Sequence, residues 1–523
     1  MNRTRILYST ILAAAAVAPG FSADVAVNPQ KMPAIGTVDR RFQAYNIEML
    51  EVTGGRFWKP YKDIHAATPD DHGRGATPAG MSASLYEYRP PIDLTNARLR
   101  KLAGALGPAY VRVSGTWANS TYFPDTDGPT PKTPPAGFNG VLTRAQWKGV
   151  IDFTRATHGE LVTSFATSVG TRDAHGVWTP AQARAVLAYT KSLGGRIAAA
   201  EFMNEPNFAA IGGAPAGYDA AAYARDIAVF KPFLKETSPD TLFLGPGSVM
   251  EGGRVSLPMP GGTLHSEDLL RASGPVYDIF SFHIYTTVSQ RCGGGGPQMA
   301  VTPATALAGD VLARADGIEE FYAGLRDRYE PGKPLWITET ADAACGGNPW
   351  GSTFLDTFRY LDSHARLAQK GVQAIAHNTL ASSDYGLLDE KTLAPRPDYW
   401  AALLWNKLMG TTVLKPDAPE ASALHLYAQC MSGVPGGVTV LAINTSRSDA
   451  QTLTVPGASE RYTLTAPELE GARVELNGKA LALGADDSLP ALAGVPAASG
   501  NIALAPASIT FLAIRQAHNS SCH

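Results

Sequence analysis

Two glutamates, Glu205 and Glu339, have the sequence surroundings in this chain that are best suited to chemistry. Each comes at the end of a short apolar run, at 199–203 and at 335–338, and each run predicts a strand that ends in a carboxylate. The two residues are 134 positions apart, which leaves room for about three strand–helix units. A retaining glycosidase needs two carboxyls ~5–5.5 Å apart on one rim of such a barrel, one as acid and later base, the other as nucleophile. The pair therefore predicts an enzyme that cleaves glycosidic bonds.

The residues around Glu205 suit a proton donor. Asn204 precedes it and could bind the sugar hydroxyl beside the reacting carbon, while Pro206 ends the strand and turns the chain outwards. A proton donor needs a raised pKa, which burial and a nearby negative charge provide. An isolated Asn-Glu-Pro would fit a surface turn equally well, but the apolar run before it and the second glutamate downstream favour the catalytic interpretation.

Glu339 is then the predicted nucleophile, and a nucleophilic carboxylate must stay ionised among hydrogen-bond donors. His283 and Tyr285, at the end of predicted strand 279–283 and just after it, could supply those donors; the alternatives are a core histidine and a packing tyrosine. Arg112 is a charge within the apolar run 109–113, and buried arginines are usually paired with carboxylates. It predicts either an ion pair with a catalytic glutamate or a purely structural pair.

The elements that would position these residues alternate between short apolar runs and helical patterns. The predicted strands are 42–49, 109–113, 161–168, 199–203, 242–244, 279–283, 335–338 and 373–376, and the predicted helices include 97–103, 181–193, 220–236, 310–329 and 354–370. Eight such alternations predict an α/β fold, a (β/α)8 TIM barrel over residues 41–408. A doubly wound sheet would also alternate, but the glycine-rich phosphate turn typical of one does not follow the first run.

After residue 408 the helical periodicity fades, and short alternating runs between Gly, Pro, Asn and Asp predict an antiparallel β-sandwich over 409–523. Residues 24–40 could add a strand to it. Two long loops, 61–91 and 122–139, would lie on the catalytic rim and shape a cleft, unless they only decorate the surface. A third loop, 289–299, contains four consecutive glycines, and Cys292 could tether it.

Composition limits the classes of function. The 523 residues contain 44 Lys and Arg against 47 Asp and Glu. This balance lacks the excess of positive charge that is typical of proteins that bind nucleic acid. Residues 1–23 combine Arg3 and Arg5 with an apolar stretch and predict an export signal; a short membrane anchor is the alternative. We expect an exported protein, periplasmic or secreted, with no membrane contact in its mature form. The spacing of Cys and His predicts no metal site and no cofactor, and four cysteines leave three disulfide pairings open.

Several motifs together resemble one family. They are 94–103 with 109–116, Asn204 to Asn207, Thr338 to Thr340, and above all the stretch from Tyr385 through Trp400 to Gly410. This pattern resembles the heparanase and β-glucuronidase family of retaining glycoside hydrolases. The resemblance is to glycoside hydrolase family 79, whose members have a clan A barrel. The resemblance covers most of the mature chain. It implies a barrel with a β-sandwich and a covalent glycosyl-enzyme intermediate, with Glu205 as acid/base and Glu339 as nucleophile.

The resemblance also implies the substrate contacts. Glucuronic acid would occupy the sugar site, and its carboxylate would be held by backbone N–H groups of Gly346 and Gly347 and by Tyr385. Glu48 and Thr116 fall where family members contact the sugar. The family's C-terminal disulfide corresponds to Cys430 with Cys522; Cys292 and Cys345 are then left on rim loops, and we expect them to pair.

One departure from the family narrows the substrate. Relatives that cleave heparan carry basic clusters beside the cleft, whereas here only Arg254 falls between 246 and Arg271. Because sulfate groups are bound by such basic residues, their scarcity argues against a highly sulfated polymer as the substrate. The first hypothesis is a retaining β-glucuronidase that removes terminal glucuronic acid from glycans or glucuronides. The alternatives are an endo-acting, heparanase-like glycosidase on a glucuronate-containing polysaccharide and, remotely, a non-catalytic glycan-binding protein, against which the presence of both glutamates argues.

Overall fold

The computed structural model describes residues 25–64, 82–252, 262–296, 299–417 and 423–523. The predicted export signal at 1–23, Arg254 and most of the predicted loop 61–91 lie outside those ranges. Within them, no helix combines the length and the apolar character needed to cross a bilayer.

Eight parallel strands form a closed barrel, which confirms the predicted fold class. The barrel strands, in chain order one to eight, are Gln43–Glu48, Tyr110–Ser114, Glu160–Ser164, Ala199–Glu201, Leu242–Ser248, Ile279–Ile284, Leu335–Thr340 and Val372–His377. The eighth strand pairs with the first and so closes the barrel. The strands are buried on both faces, as parallel strands covered by helices must be, and this explains why they read as continuous apolar runs in the sequence.

Helices surround the barrel. The α-helices are Met49–Thr53, Ala97–Ala105, Arg144–Ala156, Ala181–Ser192, Ala220–Thr237, Ser266–Ser273, Gly309–Leu312, Arg314–Tyr329, Phe354–Gln369 and Pro397–Leu408. Short 3-10 helices are Pro29–Lys31, Tyr61–Asp63, Ala83–Leu85, Thr116–Ser120, Val169–Thr171, Pro206–Phe208 and Gln290–Gly295. The predicted helix 310–329 is two helices, and Arg144–Ala156, which the helix predictions did not include, begins at a capping box of Thr143 and Gln146.

The lower end of the barrel is closed by side chains from the second to the eighth strands. Small and large residues fill this layer together: Val162, Ala199, Leu244, Ile279, Trp336 and Ala374. Tyr110 packs on Trp336 with ring centroids 4.4 Å apart. Since side chains alternate along a strand, Arg112 lies on the same face of the second strand two residues above Tyr110, where it begins a polar layer at the carboxyl end of the barrel.

The β-sandwich is built from both ends of the chain. Its larger sheet contains Ala34–Thr37, Met409–Leu414, Leu424–Met431, Val438–Asn444, Ser459–Thr465, Glu475–Leu476, Lys479–Ala480, Val495–Ala497 and Ser508–Ile514, and its smaller sheet contains Val25–Ala26, Gln451–Val455 and Gly500–Leu504. Val25–Ala26 runs parallel to its partner, while the other sandwich pairings are antiparallel. One face of the larger sheet packs on the barrel helices and the other on the smaller sheet.

Two small two-stranded sheets lie on the catalytic rim. Gly55–Trp58 pairs antiparallel with Tyr86–Arg89, and Thr121–Tyr122 pairs parallel with Gly140–Val141. The predicted loop 61–91 therefore ends in a strand that returns to the barrel. Trp58 stacks on Tyr86, with ring centroids 4.6 Å apart, which fixes the base of this hairpin against the rim.

Candidate active site

Glu205 lies beyond the end of the fourth barrel strand. The sequence predicted that its strand would run to the glutamate, but the ladder ends at Glu201, and Glu205 sits in a left-handed turn with φ of +49°. The strand pairing ends early because the side chain of Asn119 binds both the N–H and the carbonyl of Asn204. Asn204 N–H donates to Asn119 Oδ1 at 2.9 Å, and Asn119 Nδ2 donates to the Asn204 carbonyl at 2.8 Å.

Glu339 lies inside the seventh barrel strand, one residue before its end. A carboxylate oxygen of Glu339 and one of Glu205 lie within 4.8 Å of each other. The side chain of Glu205 is 17% exposed and that of Glu339 is 9% exposed, so solvent reaches the pair through a narrow opening. Oxygens this near to each other fit the ~5–5.5 Å between the carboxyl groups of retaining enzymes better than the ~6.5–9.5 Å of inverting ones.

Arg112 is buried beneath the pair and bonds to two carboxylates. Its Nη1 donates to Glu339 Oε2 at 3.1 Å, and its Nη2 donates to Glu201 Oε2 at 2.8 Å and to Asn204 Oδ1 at 2.7 Å. The sequence left open whether Arg112 pairs with a catalytic glutamate or forms a purely structural ion pair, and the structure shows both. Glu339 is a catalytic candidate, and Glu201 is fully buried below the site. The guanidinium therefore fixes both the predicted nucleophile and the amide of Asn204.

Glu205 has the environment of a carboxylic acid. Burial raises its pKa to about 7; Arg112 opposes the rise and Glu201 adds to it. His283 Nδ1 lies 2.9 Å from Glu205 Oε1. Burial lowers the pKa of His283 to about 4, so the ring is neutral at pH 7. Because Arg112 Nη2, 3.4 Å from Nε2, can only donate, Nδ1 carries the proton and donates it to Glu205.

Glu339 has the environment of a carboxylate. Tyr285 O–H donates to Glu339 Oε1 at 2.7 Å, and Arg112 binds its other oxygen. The prediction that His283 would also serve Glu339 is wrong: its Nδ1 is 3.9 Å from Glu339 and within hydrogen-bond distance of Glu205 instead. His283 is on the sixth strand, and one strand separates it from the fourth. Glu205, in its left-handed turn after the fourth strand, places its carboxylate next to the His283 ring.

Tyr385 and the glycine pair lie together next to the nucleophile. Asn378 Nδ2 donates to the hydroxyls of both Tyr285 and Tyr385, each at 3.2 Å. This leaves the Tyr385 proton free to point into the site. A side chain on Gly347 would meet the Tyr385 ring at 3.2 Å, so the backbone of Gly347 lies directly against that ring. The structure therefore places Gly347 and Tyr385 side by side.

Glu48 ends the first barrel strand, and Thr116 follows the end of the neighbouring second strand on the same rim. Glu48 is buried, and its Oε2 has no hydrogen-bond partner among the described residues. Burial and the neighbouring Glu339 hold the pKa of Glu48 well above its usual range. Gly115 is required beside it, because a Cβ there would lie 1.6 Å from Glu48 Oε2. Thr116, half-buried, begins the short helix that carries Asn119.

The cysteines separate into one bonded and one unbonded pair. Cys430 and Cys522 form a disulfide, as the family resemblance implied. The expected Cys292–Cys345 bond is absent: both residues are free thiols, and they lie in the same apolar cluster on the rim. The loops do bring them together, since Ser289 N–H donates to the Ala344 carbonyl at 2.9 Å, so the structure contains the reduced form of the expected pair.

One group of side chains in the described ranges has the composition and spacing of a metal site, and it contains both candidate catalytic glutamates. Atoms of Glu205, His283 and Glu339 lie within 4.8 Å of one another. A divalent ion bound there would occupy the acid and the nucleophile at once. It would compete with glycoside chemistry rather than support it.

Sequence reasoning missed three residues of the site: Glu201, Asn119 and Asn378. Glu201 could have been found, because it is a charge in an apolar strand, the same signal that identified Arg112. Asn119 and Asn378 give no such signal, since asparagines are common in loops and their partners lie 85 and 93 residues away.

Comparison with known sequences gives relatives that are 26–29% identical to this chain. No protein-family model matches the chain. It is 29% identical to heparanase-like protein 1 of Arabidopsis thaliana over 385 residues, which cover 70% of this chain and 67% of the relative. It is 26% identical to heparanase of Mus musculus over 495 residues, 82% of this chain and 88% of the relative. It is 29% identical to baicalin-β-D-glucuronidase of Scutellaria baicalensis over 249 residues, 43% of this chain and 46% of the relative.

Solved structures with the same fold include a 4-O-α-L-rhamnosyl-β-D-glucuronidase from Fusarium oxysporum and an α-L-arabinofuranosidase from Thermotoga maritima. Their TM-scores are 0.62 and 0.61, each at 14% identity and each covering 94% of this chain and 99% of the other. The barrel with its sandwich and paired carboxylates, together with the named relatives, defines the protein as a glycoside hydrolase. The comparisons confirm the resemblance to the heparanase and β-glucuronidase family that the sequence motifs indicated.

Proposed function

We propose that this glycoside hydrolase is a retaining β-glucuronidase that removes terminal β-linked glucuronic acid from glycans or glucuronides. The observation that carries the proposal is the position of Tyr385 and the Gly346–Gly347 backbone beside Glu339, where donors without an acceptor can receive a sugar carboxylate. The names of the relatives, heparanase and baicalin-β-D-glucuronidase, support a substrate that contains glucuronate.

In the first step Glu339 attacks the anomeric carbon and Glu205 protonates the leaving oxygen. The raised pKa of Glu205, about 7, keeps it protonated at the start, and the His283 N–H holds its other oxygen in place. Glu339 enters the reaction as an anion oriented by Arg112 and Tyr285. The C1–O bond to the leaving group breaks as the bond from C1 to Glu339 forms.

In the second step water hydrolyses the covalent intermediate. Glu205, now ionised, takes a proton from the water as its oxygen attacks C1, and Glu339 leaves as a carboxylate. Asn204 can bind the sugar hydroxyl next to C1 during both steps, because Arg112 and Asn119 fix its amide and backbone. Two displacements return the sugar with its original β configuration.

The rim beside the glycine pair supports removal of an end sugar rather than cleavage within a chain. Trp58 packs on Gly346, where an added Cβ would lie 2.5 Å from its ring. Arg291 pairs with Asp384 at 2.5 Å, and its guanidinium lies 4.1 Å from the centre of the Tyr61 ring. Loops that follow four different barrel strands, the first, sixth, seventh and eighth, are thereby tied together next to the proposed carboxylate site.

The expected compartment also forms part of the proposal. The disulfide between Cys430 and Cys522 suits an oxidising environment, in agreement with the export signal predicted from residues 1–23. We therefore propose an exported enzyme that meets its glycan outside the cytoplasm.

The test compares a small glucuronide, the matching glucoside and a polymer. We expect kcat/KM for p-nitrophenyl β-glucuronide to exceed that for the β-glucoside by at least about 100-fold, because unpaired donors would face the glucoside. Heparan sulfate chain length, followed by gel filtration, should change little. The Glu339→Gln variant supplies the background rate. Rapid shortening of the polymer without release of p-nitrophenol would replace this proposal with the endo-acting alternative.

A further inference from the structure

The backbone that carries the glycine pair has an unusual path. Cys345, Gly346 and Gly347 have φ angles of +66°, +79° and +84°, three successive residues in the left-handed region. For a residue with a Cβ this conformation is disfavoured, so contacts around the loop must hold it. The structure supplies them from two serines on other loops.

Each glycine carbonyl accepts a hydrogen bond from a buried serine. Ser383 Oγ donates to the Gly346 carbonyl at 2.8 Å, and Ser289 Oγ donates to the Gly347 carbonyl at 2.6 Å. Both serines are at most 1% exposed. In a planar trans peptide the N–H points opposite to the carbonyl, so each serine also sets the direction of the next N–H.

The two peptides that follow Gly346 and Gly347 differ in whether their N–H group has an acceptor. The N–H of Asn348, opposite the Gly347 carbonyl, donates to Asp342 Oδ2 at 2.8 Å. The N–H of Gly347, opposite the Gly346 carbonyl, has no acceptor among the residues that the structure describes. Ser289 and Asp342 thus bind both the carbonyl and the N–H of the peptide between Gly347 and Asn348. Ser383 binds only the carbonyl of the peptide between Gly346 and Gly347, so the N–H of Gly347 points away from Ser383 and lies next to Tyr385.

A directed chain of hydrogen bonds supports Ser289. Arg291 N–H donates to Tyr61 Oη at 3.0 Å, and Tyr61 Oη lies 2.5 Å from Ser289 Oγ. Because the Ser289 proton is committed to the Gly347 carbonyl, the Tyr61 proton must point to Ser289. Every donor in the chain is therefore assigned, and each bond strengthens the next.

We propose that Ser289 and Ser383 are positioning residues that determine specificity for a carboxylate-bearing sugar. Ser383 orients the peptide whose Gly347 N–H faces the sugar, and Ser289 fixes the next peptide, between Gly347 and Asn348, and so holds Gly347 in place. This inference rests on the proposed β-glucuronidase function and extends it to residues that do not touch the sugar. The serines act through the backbone, so their removal should weaken recognition of the carboxylate and leave the two catalytic glutamates unchanged.

The test uses Ser289→Ala, Ser383→Ala and Tyr61→Phe, with Ser508→Ala as the matched control. Ser508 is also buried and its Oγ donates to a backbone carbonyl, that of Ala505 at 2.6 Å, but it lies in the sandwich. The readouts are kcat/KM for p-nitrophenyl β-glucuronide and the inhibition constants of free glucuronate and of methyl β-glucoside. Melting temperatures establish that each variant is folded.

We expect each serine variant to raise the inhibition constant of glucuronate about 10-fold, the loss of roughly one well-formed hydrogen bond, with a smaller rise for Tyr61→Phe. The constant for methyl β-glucoside and all values for Ser508→Ala should stay within twofold of the wild type. Equal losses for glucuronate and glucoside, or no loss for either, would overturn the positioning role alone. A wild-type enzyme without β-glucuronidase activity would overturn the proposed function, and this inference with it.

Discussion

Glu205 and Glu339 are the same side chain, and their neighbours assign them different protonation states. The acid receives a single neutral donor, the N–H of His283, whereas the nucleophile receives a guanidinium and a phenol. Charged donors favour the anion more strongly than neutral ones do. The division of roles therefore follows from which donor reaches which carboxylate.

The pH dependence of the reaction should report the acid. Glu205 must be protonated to act, and its pKa is raised to about 7, so kcat/KM should fall as pH rises through about 7. Because His283 donates to the carboxylate and so favours ionisation, His283→Ala should move this alkaline limb upwards while lowering kcat. Rate profiles from pH 4 to pH 9 measure both effects. An alkaline limb that His283→Ala does not move would contradict the tautomer assigned here.

Replacing each carboxylate should give different kinetic patterns. Glu205→Ala should slow substrates with poor leaving groups by at least about 100-fold, activated aryl glycosides far less, and added azide should restore turnover as a β-glycosyl azide. Glu339→Gln should abolish turnover of all of them, because no covalent intermediate can form. Both reactions are followed by released phenol and by NMR of the sugar product.

Glu330→Gln is the control for these two variants. Glu330 is also buried, and its carboxylate accepts backbone N–H groups outside the site. An amide in its place should leave the rates near those of the wild type. An azide product of α configuration, or full activity in Glu339→Gln, would contradict the assignment of roles.

At the scale of elements, the loops on the rim are joined by contacts that an oxidant could make covalent. Cys292 and Cys345 are free thiols in one apolar cluster, and Cys345 directly precedes the glycine pair. We expect thiol titration of denatured enzyme to find two thiols before, and none after, mild oxidation with oxidised glutathione. The new bond should raise the melting temperature, because it closes a long loop.

The Cys292→Ser variant provides the matched control for that oxidation. It should retain one thiol, that of Cys345, and its melting temperature should not respond to oxidised glutathione. Two titratable thiols that persist in the oxidised wild type would show that the loops hold the sulfurs in a geometry that cannot bond.

The sequence predicted the elements better than it predicted the contacts between them. All eight barrel strands lie where apolar runs placed them, because strands buried on both faces leave a continuous signal. The helix Arg144–Ala156 also carried a readable signal in its capping box. In contrast, the clamp between Asn119 and Asn204, and the bond from Asn378 to Tyr285, depend on how distant loops meet. No local pattern encodes such a meeting, so the catalytic pair and its partners Arg112 and Tyr285 were predictable, whereas the asparagines that hold the site together were not.

The whole molecule unites its two parts through a shared interface. Helix Phe354–Gln369 of the barrel packs against the larger sheet, and Asp362 on that helix accepts hydrogen bonds from Tyr427 and His425 of the sandwich, each at 2.6 Å. The face of the sheet turned to the barrel is part of the same apolar core as the barrel helices. We therefore expect one cooperative unfolding transition for both parts in calorimetry.

Removing the disulfide should lower the stability of that whole unit. Cys430 and Cys522 are 92 residues apart in sequence, and Cys430→Ser with Cys522→Ser should cost about 2–5 kcal/mol of unfolding free energy. The melting temperature should drop by several degrees in a single shifted transition, while kcat changes little because the bond is remote from the barrel rim. Two separate transitions in the variant would show instead that the sandwich unfolds alone.

The position of strand Ser508–Ile514 has a consequence for synthesis. It comes almost last in the chain, yet it lies in the interior of the larger sheet, paired along seven positions with Val438–Asn444 and bordered on its other side by Ser459–Thr465. Until a ribosome has released this segment, the strands on both sides lack their shared partner and expose apolar edges. A polypeptide terminated early would lose the middle of the sheet rather than its margin. Proteases that remove incomplete chains would therefore find them readily, so the sheet is protected only once Ser508–Ile514 has been translated and paired.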